Sequence, residues 1–256
     1  MGLWSADAMD RYRDNNKVMQ DRQTQIPRRV AEVTSSFWIL RILAAIAGEA
    51  ASNFLKINLH FGLAIAFIVV TVSLLTLLIV KIQAKHFTPI TYWIVIAFAS
   101  AYGALLVDNL VGDFGIGLDT ALLGFGAIFV VNFIFGVDAE HTLSPDHVYT
   151  VEQERIYWVA IVLSVSLGTV GGRLVAQHAQ LGYAPSAMLF AVLLGVAAVA
   201  RYLYPLKAVQ VFWIAMIVTQ PFGASFADFV MHLLAEAGFA SAKAAPDISH
   251  LLQLRL

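Results

Sequence analysis

A handful of ionisable and amide side chains, set at regular spacing inside apolar stretches, are the groups in this sequence with the means to do chemistry. Glu49 and Asn53 lie four residues apart and so share one helix face. Asp108, Arg173 and Asp228 stand in three later apolar stretches, each at the place Asn53 holds in the first. Arg41 adds a cation eight residues before Glu49. Ionisable groups inside apolar spans cost energy to keep there, so they mark ion or solute pathways, proton relays or internal ion pairs. Glu49, Asn53, Asp108 and Asp228 therefore form the candidate substrate or ion site. Arg41 and Arg173 are expected to form a charge network with acids, Arg41 with Glu49 or a neighbouring helix and Arg173 with Asp108 or Asp228.

What positions these groups is a repeated frame. Aromatic pairs Phe37-Trp38, Tyr92-Trp93, Tyr157-Trp158 and Phe212-Trp213 each open an apolar run, and ten residues past each Trp stands a glycine: Gly48, Gly103, Gly168 and Gly223. The polar position follows five residues later. A second glycine, Gly62, Gly117 or Gly182, opens a plain apolar run in the first three copies, and Gly238 arrives one residue late. The Trp-to-Trp intervals are 55, 65 and 55, so the chain reads as four copies of one unit with an insertion at the middle junction. The glycines let helices approach closely, as in the Ser164/Gly168/Gly172 ridge, and Trp38, Trp93, Trp158 and Trp213 are expected as interface aromatics. At about 1.5 Å of rise per residue, the polar positions lie about 22 Å beyond the Trp level.

With 59% hydrophobic and 13% charged residues and a mean hydropathy of +0.76, the composition is that of an integral membrane protein. A net charge of -1 points away from nucleic acid, and the absence of Cys removes disulfides, thiolate metal sites and Cys nucleophiles. Spans of the length a bilayer requires fall at 36–55, 62–80, 90–111, 117–137, 156–175, 182–204 and 208–231. The expected fold is thus all-α, four parallel two-helix repeats (about 36–81, 90–137, 156–204 and 208–240, within a domain of 34–240) with seven transmembrane helices. The eighth is degenerate or missing, because Lys243, Pro246, Asp247 and Arg255 oppose insertion. Residues 1–33 form a polar cytoplasmic tail without the h-region of a signal peptide, and 241–256 a polar C-terminal tail. Gln220-Pro221 should interrupt the seventh span.

No hydrolase elbow, phosphate loop, zinc-protease helix or dinucleotide fingerprint occurs at a usable position, so no enzyme activity and no cofactor are expected. His60, His178 and His232 sit at non-equivalent offsets, and Asp138, His141, Asp146 and His147 read as a solvated acidic loop; no metal site is expected.

Four tandem units that open with aromatic-Trp and hold a Gly-x-x-x-x-Asp-like motif resemble a bacterial integral membrane family, uncharacterised membrane-anchored proteins built from four copies of a repeat of unknown function. The likeness covers about residues 33 to 240 and is carried by Phe37-Trp38-Ile-Leu-Arg41, Gly48-Glu49 and the run from Phe212-Trp213 through Gln220-Pro221 to Asp228. It implies architecture and a bacterial inner membrane, with Asn53 and Arg173 departing from the acidic position. The function expected is that of a transporter or permeation protein for a small cation or small polar solute, and the alternative is a non-transporting scaffold or sensor whose buried charges specify helix packing. The partners are the lipid bilayer, that solute and a second copy of the chain in a homo-oligomer.

Basic residues set the orientation. With the N-terminus inside, the inner segments hold eleven Lys and Arg and the outer loops two, Lys56 and Arg173. Single cysteines replacing Asp10 or Ala245 should therefore differ in intact cells towards an impermeant maleimide, with only the second labelled. Labelling of the first alone would reverse the topology.

Overall fold

The computed structural model describes residues 28–57, 62–84, 87–140, 144–145, 148–179, 182–203 and 208–236. The tail expectations for 1–27 and 237–256, including the degenerate eighth span, and those for His60, His141, Asp146 and His147 lie outside the described residues, as do the side chains of Asp138 and His178. Among the described residues seven α-helices follow one another: α1 (Ser35–Ile57), α2 (Gly62–Gln83), α3 (Pro89–Asp108), α4 (Leu118–Glu140), α5 (Val151–Ala179), α6 (Tyr183–Leu203) and α7 (Ala208–Glu236). All seven are long and apolar enough to cross a membrane, and no strand occurs among the described residues.

Local chemistry sets several helix ends. Pro89 opens α3 at a position where its missing N–H costs nothing. α5 starts five residues earlier than the apolar pattern indicates, because Thr150 and Gln153 make a reciprocal cap. The Gln153 amide donates to Thr150 Oγ1 at 3.1 Å, and Gln153 Oε1 accepts the amides of Thr150 and Tyr149. Part of the expected loop is thereby helical. α3 runs on into a π-helical turn, Asn109–Asp113, where Asn109 Nδ2 donates to the Leu105 carbonyl at 2.8 Å.

The odd-numbered helices form a closed ring: α1 packs on α3, α3 on α5, α5 on α7, and α7 back on α1. The even helices lie outside it, α2 chiefly on α3, α4 on α5 and α6 on α7. Aromatic contacts go round the ring in one sense, Phe37 to Trp93 (5.3 Å between ring centroids), Tyr92 to Trp158 (5.3 Å), Tyr157 to Trp213 (5.9 Å) and Phe212 to Trp38 (5.8 Å). Two of the four tryptophans are thus not interface anchors alone: Trp158 and Trp213 are buried in the core, where indole rings supply large apolar area.

Polarity is inverted relative to a water-soluble bundle. Arg41, Glu49, Ser100, Thr169 and Gln220 are buried, whereas Ile65, Ile68, Val72, Leu75 and Ile79 of α2, and Ile128, Val131 and Ile134 of α4, are exposed. Such a continuous apolar exterior is what lipid contact requires.

The four glycines sit at the closest approaches in the ring. A Cβ on Gly48 would lie 2.5 Å from Ser100 Cβ, on Gly103 2.6 Å from Val165 Cγ1, on Gly168 2.9 Å from Gln220 Cβ, and on Gly223 2.4 Å from Ala45 Cβ. Each seat is a residue seven past the Trp of the next ring helix, and all four are fully buried. Pro221 does not break α7, which is continuous through it. It fits instead against Gly172, whose Cβ would come within 2.4 Å of the proline Cβ. Its missing N–H frees the Ile217 carbonyl, and that oxygen faces Gly168 at 2.3 Å from where a Cβ would stand.

Gly168→Ala should therefore lower the melting temperature of the detergent-solubilised protein by an amount equivalent to roughly 1–3 kcal/mol. Gly182→Ala, whose Cβ would find its nearest neighbour at 4.0 Å, should leave it unchanged. Equal losses at the two positions would mean that the α5–α7 contact yields without cost.

Candidate functional site

Each ring helix presents one polar position fifteen residues past its Trp: Asn53 on α1, Asp108 on α3, Arg173 on α5 and Asp228 on α7, all half-buried. Asp108 joins three helices, since its Oδ1 pairs with Arg173 Nη1 at 2.5 Å and its Oδ2 accepts from Lys56 Nζ at 2.7 Å. Of the two acids expected to hold Arg173, Asp108 makes the ion pair. Glu49 is buried one turn before Asn53 and lies within Coulombic reach of Arg173, Lys56 and Asp108. Asp228 feels the same groups and Glu49. Three carboxylates and two cations, 2 − 3, give this cluster a formal charge of −1. One oxygen of Glu49, Oε2, is buried without a hydrogen-bond partner.

Arg41 stands apart from that cluster. It makes no ion pair with Glu49; its Nη2 donates to Gln220 Oε1 at 3.1 Å and its Nη1 to Ser100 Oγ at 3.4 Å. The physical reason is direction. The guanidinium reaches the seat level of α3 and α7, seven residues past their Trp, while Glu49 lies a further turn along, on the side facing Lys56 and Arg173.

Sequence reasoning missed three things. Lys56 entered the reading only as a loop charge, although its spacing of seven from Glu49 places both on one helix face. Beyond the aromatic ring lies a second ion cluster, in which Glu154 accepts from Lys81 Nζ at 2.7 Å, pairs with Arg29 and receives the Trp158 indole N–H at 3.4 Å. Lys81 and Glu154 are fully buried. Arg29 also donates to the Ile82 carbonyl at 2.8 Å, so the segment ahead of α1 is tied to the end of α2. The signal was present in the spacing of Glu154, four residues before Trp158. The third omission is the buried pair of Tyr92 and Tyr157 hydroxyls, 2.6 Å apart. Among the described residues no group of three or more His, Cys, Asp or Glu is placed to hold a metal ion.

Among the described residues these features define an all-helical arrangement of seven membrane-length helices with a charged interior. Residues 156–205, most of α5 and all of α6, match the family model Repeat of Unknown Function (DUF347). The matched stretch contains Trp158, Gly168 and Arg173. No curated protein and no solved structure matches the chain.

The geometry separates Asp108 from Asp228. In a double-mutant cycle, Arg173→Met with Asp108→Asn should show a coupling of about 0.5–3 kcal/mol, because losing Asp108 strands Arg173 while losing Arg173 leaves Asp108 on Lys56 alone. Arg173→Met with Asp228→Asn, which act on each other only through space, should show a smaller coupling. Additivity in the first cycle would place Arg173 alone against solvent or headgroups.

Proposed function

We propose that the chain is a multi-pass protein of a bacterial inner membrane, with its N-terminus in the cytoplasm, in which four two-helix repeats surround one axis. In this reading it is a permeation protein for a small cation or small polar solute, bound by Glu49 with Asn53, Asp108 and Asp228. One observation carries the reading: a buried carboxylate of Glu49 with an unpartnered oxygen inside a cluster of net negative formal charge. A buried anion without a partner is costly, and a small cation or a proton at that oxygen removes the cost. Either one brings the formal charge of the cluster from −1 to zero. Asp108, already held by Arg173 and Lys56, acts in this scheme as the fixed anchor that keeps α1, α3 and α5 in register. The same anchoring supports the second reading, a scaffold or sensor in which the charges only specify helix pairing.

Purified protein in liposomes separates the two. Proton, sodium and potassium flux, measured in turn against empty vesicles, should reveal uptake of at least one ion, reduced more than tenfold by Glu49→Gln with the melting temperature within a few degrees of wild type. A folded protein that moves none of the three leaves the scaffold reading standing.

A further inference from the structure

We infer that Arg41 is the centre of a binding site for one small monovalent anion on the axis of the helix ring, held by the guanidinium and the Gln220 carboxamide. The position three residues past the Trp is occupied on the other ring helices by Ile96, Ile161 and Met216, and all four side chains are wholly enclosed. Arg41 thus places a permanent charge in an otherwise apolar layer. An ion in such surroundings costs several kcal/mol unless paired, yet no carboxylate among the described residues forms an ion pair with it. Its partners are neutral, Ser100 Oγ at a long 3.4 Å and Gln220 Oε1 at 3.1 Å.

The atoms left over identify the class of ligand. Arg41 Nε and Gln220 Nε2 are both buried without a partner, and both are donors. The titratable side chains that act on Arg41 are the neutral Tyr92 and Tyr157, whose hydroxyls bond to each other at 2.6 Å. In such a pair one hydroxyl gives its hydrogen to the other, and the acceptor keeps a hydrogen for a third group. A set of free donors around an unpaired cation is met by an acceptor carrying negative charge, not by a cation and not by a donor. A single guanidinium offsets a single charge, and Arg41 and Gln220, both wholly buried, favour a small anion of the class of a halide or formate. This site is distinct from the Glu49 cluster, since Arg41 bonds to Ser100 and Gln220 and to none of that cluster's charges, and its test does not depend on flux.

The full-length protein in detergent is melted at constant ionic strength with sodium gluconate exchanged stepwise for chloride, bromide or formate. The wild type should gain several degrees with saturation in the millimolar range. A response to the halides alone assigns a free inorganic anion, and one that includes formate assigns a site open to carboxylates. Gln220→Glu gives the guanidinium a built-in anion; this variant should melt above wild type in gluconate and lose the response, as Arg41→Gln should. Identical melting of the wild type in all four salts overturns the site without recourse to any variant. So does a salt response that survives in Gln220→Glu, since that response would come from the protein surface.

Discussion

Close approach of the ring helices at four glycines is the constraint on which the rest of the structure depends. With Gly48, Gly103, Gly168 and Gly223 each set against the neighbouring helix, the backbones stand too close for water to serve the groups between them. Small polar side chains meet this locally. Ser100, Ser164, Thr169 and Thr219 return their hydroxyl hydrogens to carbonyls of their own helices, a pattern available to short side chains in any helix. A guanidinium, a carboxylate or a long carboxamide cannot do so. Arg41, Glu49 and Gln220 consequently carry the unmet hydrogen-bonding capacity of the ring interior.

The charges divide along the ring in an ordered way. At the aromatic end, Glu154 is held by two cations, Arg29 and Lys81. At the far end, Asp108 is held by two cations, Lys56 and Arg173. Glu154 stands four residues before its Trp and Asp108 fifteen past its own, which separates the two clusters by about 28 Å along the helices. Each ties three segments of chain together, and the incompletely partnered groups lie between them. Ion pairing is thus concentrated at the two ends, and the unmet hydrogen-bonding groups in the middle.

Much of the architecture was legible because the repeat places residues by count. Trp, Gly and polar positions at fixed offsets identify the ring helices, and apolar length identifies the spans. Offsets do not report which helix neighbours which, however. The passage of contacts round the ring, with Phe212 meeting Trp38, has no counterpart in local sequence. Charge reasoning failed where a side chain's direction mattered. The sequence leaves Arg41 to Glu49 or a neighbouring helix; it turns to two neighbouring helices, and its partners there, Ser100 and Gln220, are neutral rather than acidic. Lys81 and Glu154 flank spans in the sequence, and their burial follows from packing with the segment ahead of α1, which brings Arg29 to Glu154. Pro221 was read as an interruption because its partner surface, the notch at Gly168 and Gly172, belongs to another helix.

The outer helices have a consequence for how the chain is made. α2 rests chiefly on α3, α4 on α5 and α6 on α7, so each outer helix waits for the helix synthesised immediately after it. The contacts needed along the way are therefore short in sequence and become available as the chain emerges. One contact is different. Gly223 on Ala45 closes the ring between residues 178 positions apart, 223 − 45, and it cannot form until α7 has entered. Until then α1 has one flank open, with Arg41 lacking Gln220. A chain arrested before α7 leaves that cation without its Gln220 partner inside an apolar helix, so the interior of the unfinished protein differs from that of the completed one by an unmet charge.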